Sequence, residues 1–215
     1  MSITNIFDGT QRLFVRQIKE WAEIMVGYES KNKYEIVSDK GTQVGFISEQ
    51  GKGILRWIAR QVISSHRPLD ISIFEADGKE VIKLRRPFYF FFSTMTVEDV
   101  SGKKLGSIHQ KFAILRKKYV LKDSSGQDFA YINSGFFKFF DFAIKSKHGE
   151  DFGHVKKKWG GVIKEIFSDA DTFGVDLSPN LTPAEKCTLL ATAICIDLDY
   201  FEDNDGADGI DFIPG

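Results

Sequence analysis

The sequence predicts a mainly β domain that closes around one buried helix, and two patterns carry this prediction. Short apolar runs alternate with turn signals roughly every ten residues along most of the chain. Near the end, one helical segment is apolar around its whole circumference, as is typical of an enclosed helix. No linker divides the 215 residues. We therefore expect one domain over 1–215, with a core at about 12–203 and an acidic tail at 204–215.

The predicted strands follow one another as hairpins. The clearest pair is Leu69–Phe74 and Val81–Leu84, which flank Asp77-Gly78, a strong signal for a tight turn. The hairpin theme recurs without a strict repeat period. Further predicted strands are Tyr34–Val37, Val44–Ile47, Leu105–His109, Phe112–Leu121 and Phe129–Ile132. Strands at this spacing indicate a sandwich or a barrel.

Two segments have a helical pattern. Gly53–Ser64 suits a helix that either packs on the barrel or lies on a membrane surface, since its apolar residues share one face. The second helix is predicted from about Pro183 to Phe201. Thr182 is its N-cap, and Glu185 completes a capping box with it.

The second helix is predicted to be a core helix. Its apolar stretch, Cys187–Ile196, is followed by Asp197 and Asp199, whereas a membrane-spanning helix needs about 20 apolar residues. A closed barrel with this helix along its axis would bury it on every side. The residues expected to be buried there are Leu189, Leu190, Ala193, Ile194 and Ile196.

Charge and cysteine content indicate the cellular environment of the protein. From Glu165 to Gly215 there are twelve acidic residues and one lysine, so the rest of the chain is net basic. A basic body suits an anionic surface such as inner-leaflet lipid, although a solvated barrel exterior would carry the same charge. Cys187 and Cys195 are about 12 Å apart on a helix, too far for a disulfide, which favours a reducing compartment. The first ten residues lack the pattern of a signal peptide, so we expect a cytoplasmic protein, peripheral at the inner membrane surface.

Several segments carry a resemblance to a known family. In chain order they read EIMVGYESKNKYEI at Glu23–Ile36, DGKEVI and RRP within 77–87, WGGVIKEIFSDADTFGV at Trp159–Val175, and DLDYFE at Asp197–Glu202. This ordered set, over about residues 12–203, resembles the phospholipid scramblase family. The resemblance implies a Tubby-like fold, a closed antiparallel barrel of about a dozen strands around a hydrophobic C-terminal helix. It also implies calcium-stimulated, energy-independent movement of phospholipids between leaflets.

The resemblance further implies a weak calcium site within Asp169–Asn180. Asp169 and Asp171 match the acidic residues of the family, and Asp176 is a third candidate ligand. Compared with an EF-hand loop the cage is poor, because Phe173 stands where an oxygen ligand is needed. The alternative is a turn whose carboxylates accept hydrogen bonds from backbone amides.

Two Phe-rich runs, PFYFFF at Pro87–Phe92 and GFFKFFDF at Gly135–Phe142, are interpreted as membrane contacts. Rings inserted at the membrane interface would bring neighbouring cations to lipid phosphates. The alternative is that strand alternation buries about half of each run in the barrel. The candidate lipid-contacting residues are Arg85, Arg86, Phe88, Phe90, Phe92, Phe136, Phe137, Lys138 and Phe139.

Covalent catalysis finds little support in the sequence. The four histidines are scattered without metal-ligand spacing, so we expect no enzyme and no cofactor other than weakly bound Ca²⁺. The basic clusters at 116–118 and 156–158 lack a groove-reading helix, so nucleic acid is not an expected partner. Three functions remain open: a lipid scramblase, a non-catalytic module that binds phospholipid or phosphoinositide, and a soluble interaction protein with the same fold.

Overall fold

A computed structural model describes residues 3–18, 33–50, 66, 68–112, 118–133, 141–157 and 172–200. The described residues form twelve β-strands and one α-helix, in agreement with the predicted mainly β class. The strands are β1 Arg12–Gln17, β2 Lys33–Ser38, β3 Gln43–Glu49, β4 Leu69–Glu75, β5 Glu80–Arg86, β6 Thr94–Asp99, β7 Lys104–Lys111, β8 Lys118–Asp123, β9 Asp128–Asn133, β10 Asp141–Ser146, β11 Asp151–Lys156 and β12 Thr172–Leu177, and the helix is α1 Pro183–Tyr200.

The strands close into one antiparallel barrel. Each strand pairs with its neighbours in sequence, and β1 pairs with β12, with Leu13 opposite Val175. This confirms the predicted closed antiparallel barrel. The predicted strand Phe112–Leu121 is wrong at its start, because the pairing of β7 with β8 ends at Lys111 opposite Lys118. Phe112 therefore lies beyond the last paired residue.

The barrel has two unlike ends. Since neighbouring strands are antiparallel, all odd-numbered strands end at one rim and all even-numbered strands at the other. We call the first end the loop rim, because the connections there run from six to nineteen residues. We call the second end the turn rim. Its five strand connections are each four residues long, at 39–42, 76–79, 100–103, 124–127 and 147–150.

The five turns share one geometry. In each, a glycine amide donates a hydrogen bond to the carbonyl three residues earlier, at 2.9–3.1 Å. The glycine φ lies between 78° and 86°, a left-handed conformation that only glycine adopts without strain. One register shift accompanies each turn, so the recurring hairpins seen in the sequence share one turn geometry. The glycines are Gly41, Gly78, Gly102, Gly126 and Gly149.

Helix α1 fills the barrel. It follows β12 at the turn rim and runs to the loop rim, where its last turn contacts the end of β5. The predicted capping box is confirmed: the Thr182 amide donates to Glu185 Oε2 at 2.7 Å, and the Glu185 amide donates to Thr182 Oγ1 at 3.3 Å. Every residue of α1 from Cys187 to Asp199 is buried. The five residues expected inside the barrel, Leu189, Leu190, Ala193, Ile194 and Ile196, are each at most 1% exposed.

The helix approaches the barrel wall most closely at β7. Gly106 faces it there, and a Cβ atom at this position would lie 2.3 Å from Thr188 Oγ1 and 2.8 Å from the Lys122 carbonyl oxygen. The absence of a side chain therefore sets the distance between helix and wall. Cys187 and Cys195 are both buried and are not joined by a disulfide, as predicted from their spacing. The helix predicted at Gly53–Ser64 lies outside the described residues.

Candidate functional site

The loop rim carries a group of exposed phenylalanines in the connection between β5 and β6. Phe90 and Phe91 are 74% and 83% exposed, and Phe88 and Phe92 are 39% and 46% exposed. The Phe88 and Phe90 rings meet edge to face with centroids 4.9 Å apart. Large apolar side chains grouped in this way on a protein surface mark interaction sites.

A second connection adds to this group. Phe112, just beyond the end of β7, is 71% exposed, and its ring centroid lies 6.3 Å from that of Phe92. We call these five residues the aromatic cluster. It comprises Phe88, Phe90, Phe91, Phe92 and Phe112.

Tyr89 is the residue of this segment that turns inward. Its amide donates to the His66 carbonyl oxygen at 3.4 Å, and its ring lies 4.8 Å from the His66 ring. The Arg86 guanidinium lies 5.3 Å from the centroid of the Tyr89 ring. Tyr89 therefore anchors the segment, while the phenylalanines on both sides of it point outward.

Lysines border the aromatic cluster on the same rim. Lys111 and Lys118 are directly opposite in the register of β7 and β8, and Lys111 immediately precedes Phe112 in the chain. Like charges in facing positions destabilise a strand pair, and an anion bound between them would relieve the repulsion. In β7, burial lowers the pKa of His109, and the charges of Lys122 and Lys111 lower it further.

The two arginines expected to meet lipid phosphates have different positions. Arg85 is exposed on the barrel wall, where its Nη1 lies 3.3 Å from Glu98 Oε2. Arg86 is only 4% exposed, and its Nη1 donates to Asp199 Oδ1 inside the barrel at 2.9 Å. The surface role expected for Arg86 is therefore wrong, because alternation along β5 turns its side chain to the interior.

A buried polar network lies directly beneath the aromatic cluster. Asp199, in the last turn of α1, accepts hydrogen bonds from Arg86, from Ser93 Oγ at 3.3 Å and from Tyr119 Oη at 2.9 Å. One turn earlier, Cys195 Sγ lies 3.7 Å from the same carboxylate. Asp199 is thus a buried carboxylate with several donors around it, as a charge inside a protein requires.

A second buried carboxylate, Asp197, lies two residues earlier in the helix. Its Oδ2 accepts a hydrogen bond from Tyr34 Oη of β2 at 2.6 Å. Both acidic residues that excluded a membrane-spanning helix in the sequence are therefore buried within the barrel. Among the described residues, no helix is both long enough and apolar enough to cross a membrane.

The described residues do not build a calcium site. Asp176 lies in β12 and its Oδ1 accepts a hydrogen bond from Arg12 Nε at 2.5 Å, so a cation would have to compete with a guanidinium. The described part of the chain contains no cluster of three or more His, Cys, Asp or Glu side chains arranged to hold a metal. Asp169 and Asp171 lie outside the described residues, so the calcium prediction stays a prediction.

Part of this site was predicted from the sequence. Phe88, Phe90 and Phe92 belong to the aromatic cluster, but Phe91 and Phe112, two of its most exposed members, were missed. The sequence signal for Phe112 was its position directly after Lys111, where polar residues meet the start of an apolar run. The other predicted contacts lie outside the described residues; these are Phe136, Phe137, Lys138 and Phe139.

Comparisons with known proteins agree with the resemblance read from the motifs. The family model described as Scramblase matches residues 2–203. A phospholipid scramblase family protein of Schizosaccharomyces pombe is 24% identical over 88% of this chain and 59% of its own length. Phospholipid scramblase 1 of Mus musculus is 28% identical over 89% of this chain and 61% of its own length. The chain thus spans about three fifths of these relatives. No solved structure matches it.

Proposed function

Because this chain belongs to the Scramblase family, we propose that it is a scramblase-like protein that docks on anionic phospholipid membrane through its loop rim. The observation that carries the proposal is the aromatic cluster, five exposed rings on two neighbouring connections of one rim. Docking brings the rim to the anionic leaflet that faces the cytoplasm, and the protein assists lipid movement without covalent catalysis. The names of its relatives, among them Phospholipid scramblase 1, support lipid as the substrate.

The charge around the cluster supports an anionic membrane over a neutral one. Lys111 immediately precedes the exposed Phe112, and Lys118 lies opposite Lys111 in the strand pair, where like charges are unfavourable. Each lysine near an anionic leaflet contributes on the order of 1 kcal/mol to binding, and added salt screens this contribution. Insertion of the rings supplies the apolar part of the binding free energy, which salt does not screen.

Sedimentation with vesicles tests the docking surface. Phe91→Ser should lower the partition constant on phosphatidylserine-containing vesicles about ten- to a hundredfold, since burying one phenylalanine contributes roughly 1.5–3 kcal/mol. Val100→Ser is the matched control, because Val100 is an exposed apolar side chain at the turn rim. Equal binding of the Phe91 variant and the wild type would refute the proposed surface.

The lysine contribution has its own control. Lys111→Gln combined with Lys118→Gln should weaken binding at low salt and flatten its salt dependence, whereas Lys103→Gln, in a turn at the opposite rim, should change neither. Binding that is independent of salt, or equal on neutral and anionic vesicles, would contradict the anionic preference. Repeating the series with and without Ca²⁺ tests the calcium dependence that Asp169 and Asp171 would provide.

Lipid movement is separated from binding by a second assay. Vesicles with a fluorescent lipid in both leaflets are mixed with an impermeant quencher, and scrambling exposes the inner-leaflet pool. A scramblase-like protein should increase the quenched fraction, and Phe91→Ser should reduce that increase in proportion to its weaker binding. Binding without an increase would favour the second candidate function, a lipid-binding module, for which the same aromatic cluster provides the contact surface.

A further inference from the structure

The connection that carries most of the aromatic cluster is held at both ends by one carboxylate. Segment 87–92 lies between Arg86, the last residue of β5, and Ser93, just before β6. Arg86 Nη1 donates to Asp199 Oδ1 at 2.9 Å, and Ser93 Oγ donates to Asp199 Oδ2 at 3.3 Å. All three residues are buried, and they fix the distance between the two ends of the segment.

The same carboxylate also holds the strand that follows the second aromatic connection. Tyr119 Oη donates to Asp199 Oδ2 at 2.9 Å, and Tyr119 is the second residue of β8. Phe112 lies at the other end of that connection, beyond β7. Asp199 is therefore bonded to the bases of both connections from which the exposed rings project.

The chemistry of this position is unusual for a residue that only fills the core. A carboxylate in the last turn of a helix faces the negative end of the helix dipole, and burial adds a desolvation cost. An apolar side chain would avoid both costs, and the preceding residues of α1 are largely apolar. Buried ion pairs add little stability over apolar packing, and their best-attested use is to fix one arrangement among several.

We propose that Asp199 is a positioning residue for membrane docking, which holds segment 87–93 in the conformation that presents the aromatic cluster. This inference rests on the proposed function, because the presented rings would act by contacting the membrane. A segment already fixed in its bound form loses less conformational entropy on binding. The end of the central helix and the lipid contact are thereby coupled, so each stabilises the other.

Hydrogen exchange without lipid tests the positioning role by itself. Three amides report on the segment: Tyr89 bonds to the His66 carbonyl, Ser93 to Gln110 Oε1, and Gln110 to the Ser93 carbonyl. Asp199→Asn removes the charge but keeps the shape. It should raise exchange at these amides about tenfold, while the Gly102 amide at the turn rim, bonded to Asp99, changes little.

Asp197→Asn is the matched control, since Asp197 is also buried in the last turn of α1 but accepts from Tyr34 on β2. Equal exchange in the segment for the two variants would overturn the proposal, because the loss would then reflect general loosening of the helix end. If Asp199→Asn does not fold, Ser93→Ala and Tyr119→Phe are compared instead. Each removes one hydroxyl group that donates a hydrogen bond to the Asp199 carboxylate. Ser93→Ala must then loosen the segment more than Tyr119→Phe does.

Vesicle sedimentation supplies the second readout. Asp199→Asn should weaken binding several-fold relative to Asp197→Asn, and its effect should be smaller when Phe91 is already Ser, because one of the positioned rings is then missing. Full binding by a folded Asp199 variant would overturn the coupling to docking. Failure of the wild type to bind vesicles would overturn the proposed function instead, and the exchange data would still decide whether Asp199 positions the segment.

Discussion

Gly106 sets the approach of the central helix to β7, and Gly106→Ala tests that contact. The new Cβ would lie 2.3 Å from Thr188 Oγ1 and 2.8 Å from the carbonyl oxygen of Lys122. The first atom moves only if the helix or the Thr188 rotamer shifts, and the second belongs to the paired backbone of β8. The cost is purely steric, because Gly106 is not among the residues with positive φ.

Overpacking of this kind costs about 1–3 kcal/mol, and the lower entropy of alanine in the unfolded chain offsets about 0.4–1 kcal/mol. We expect a net loss of about 1–2 kcal/mol in the free energy of unfolding. For a chain of this size that corresponds to a fall in Tm of roughly 2–8 °C. Urea denaturation followed by circular dichroism measures it directly.

A double-mutant cycle isolates the contact. In the Thr188→Ala background the nearest atom is gone, so Gly106→Ala should cost about 1 kcal/mol less than it does alone. Thr192 is the matched control, since it is equally buried and its Oγ1 bonds the Thr188 carbonyl oxygen one turn along the helix. Additivity with Thr188→Ala, within about 0.5 kcal/mol, would refute the idea that Gly106 sets the helix position.

Three other perturbations give separate expected outcomes. Arg86→Met should lower stability by about 3–5 kcal/mol because it leaves the Asp199 charge buried without its guanidinium, and Arg86→Met with Asp199→Leu should restore most of the loss in thermal denaturation. Burial raises the pKa of Cys187 to about 12, so its contribution to stability is complete below pH 9 and is lost as the pH rises from 9 towards 12; a Cys187→Ala variant should show a shallower alkaline decline in its urea midpoint. The Ser101 hydroxyl, aided by backbone amides, lowers the pKa of Asp99, so Ser101→Ala should raise that pKa in a carboxyl NMR titration, and an unchanged value would contradict the hydrogen bond.

The central helix could be predicted closely because its own composition indicates a fully buried environment. A helix enclosed on every side is apolar on every side, and Cys187–Ile196 has that composition. The capping box fixed its start, and the described helix continues to Tyr200, while the predicted end at Phe201 lies outside the described residues. What the sequence could not reveal is that Asp197 and Asp199 stay inside, since their partners come from strands more than 75 residues away.

The exposed residues of the loop rim were predicted less well, for two physical reasons. The strand alternation that was the alternative interpretation of this run does not apply, because β5 ends at Arg86, so consecutive residues of the next segment can both point outward. The same rule, applied within β5, would have placed Arg86 correctly, because it is in phase with the buried Leu84. The prediction treated the adjacent Arg85 and Arg86 as equivalent, whereas the strand places their side chains on opposite faces of the barrel wall.

Pairing of β1 with β12 has a consequence for the synthesis of this protein. Arg12 meets Asp176 across that seam, so the barrel cannot close until more than 160 residues of the chain have followed β1 out of the ribosome. The helix that fills the interior comes later still. At about 5–20 residues per second, the first strand therefore waits on the order of ten seconds for its partner. During that time the nascent chain exposes unpaired strand edges, which makes it prone to aggregation before the barrel closes.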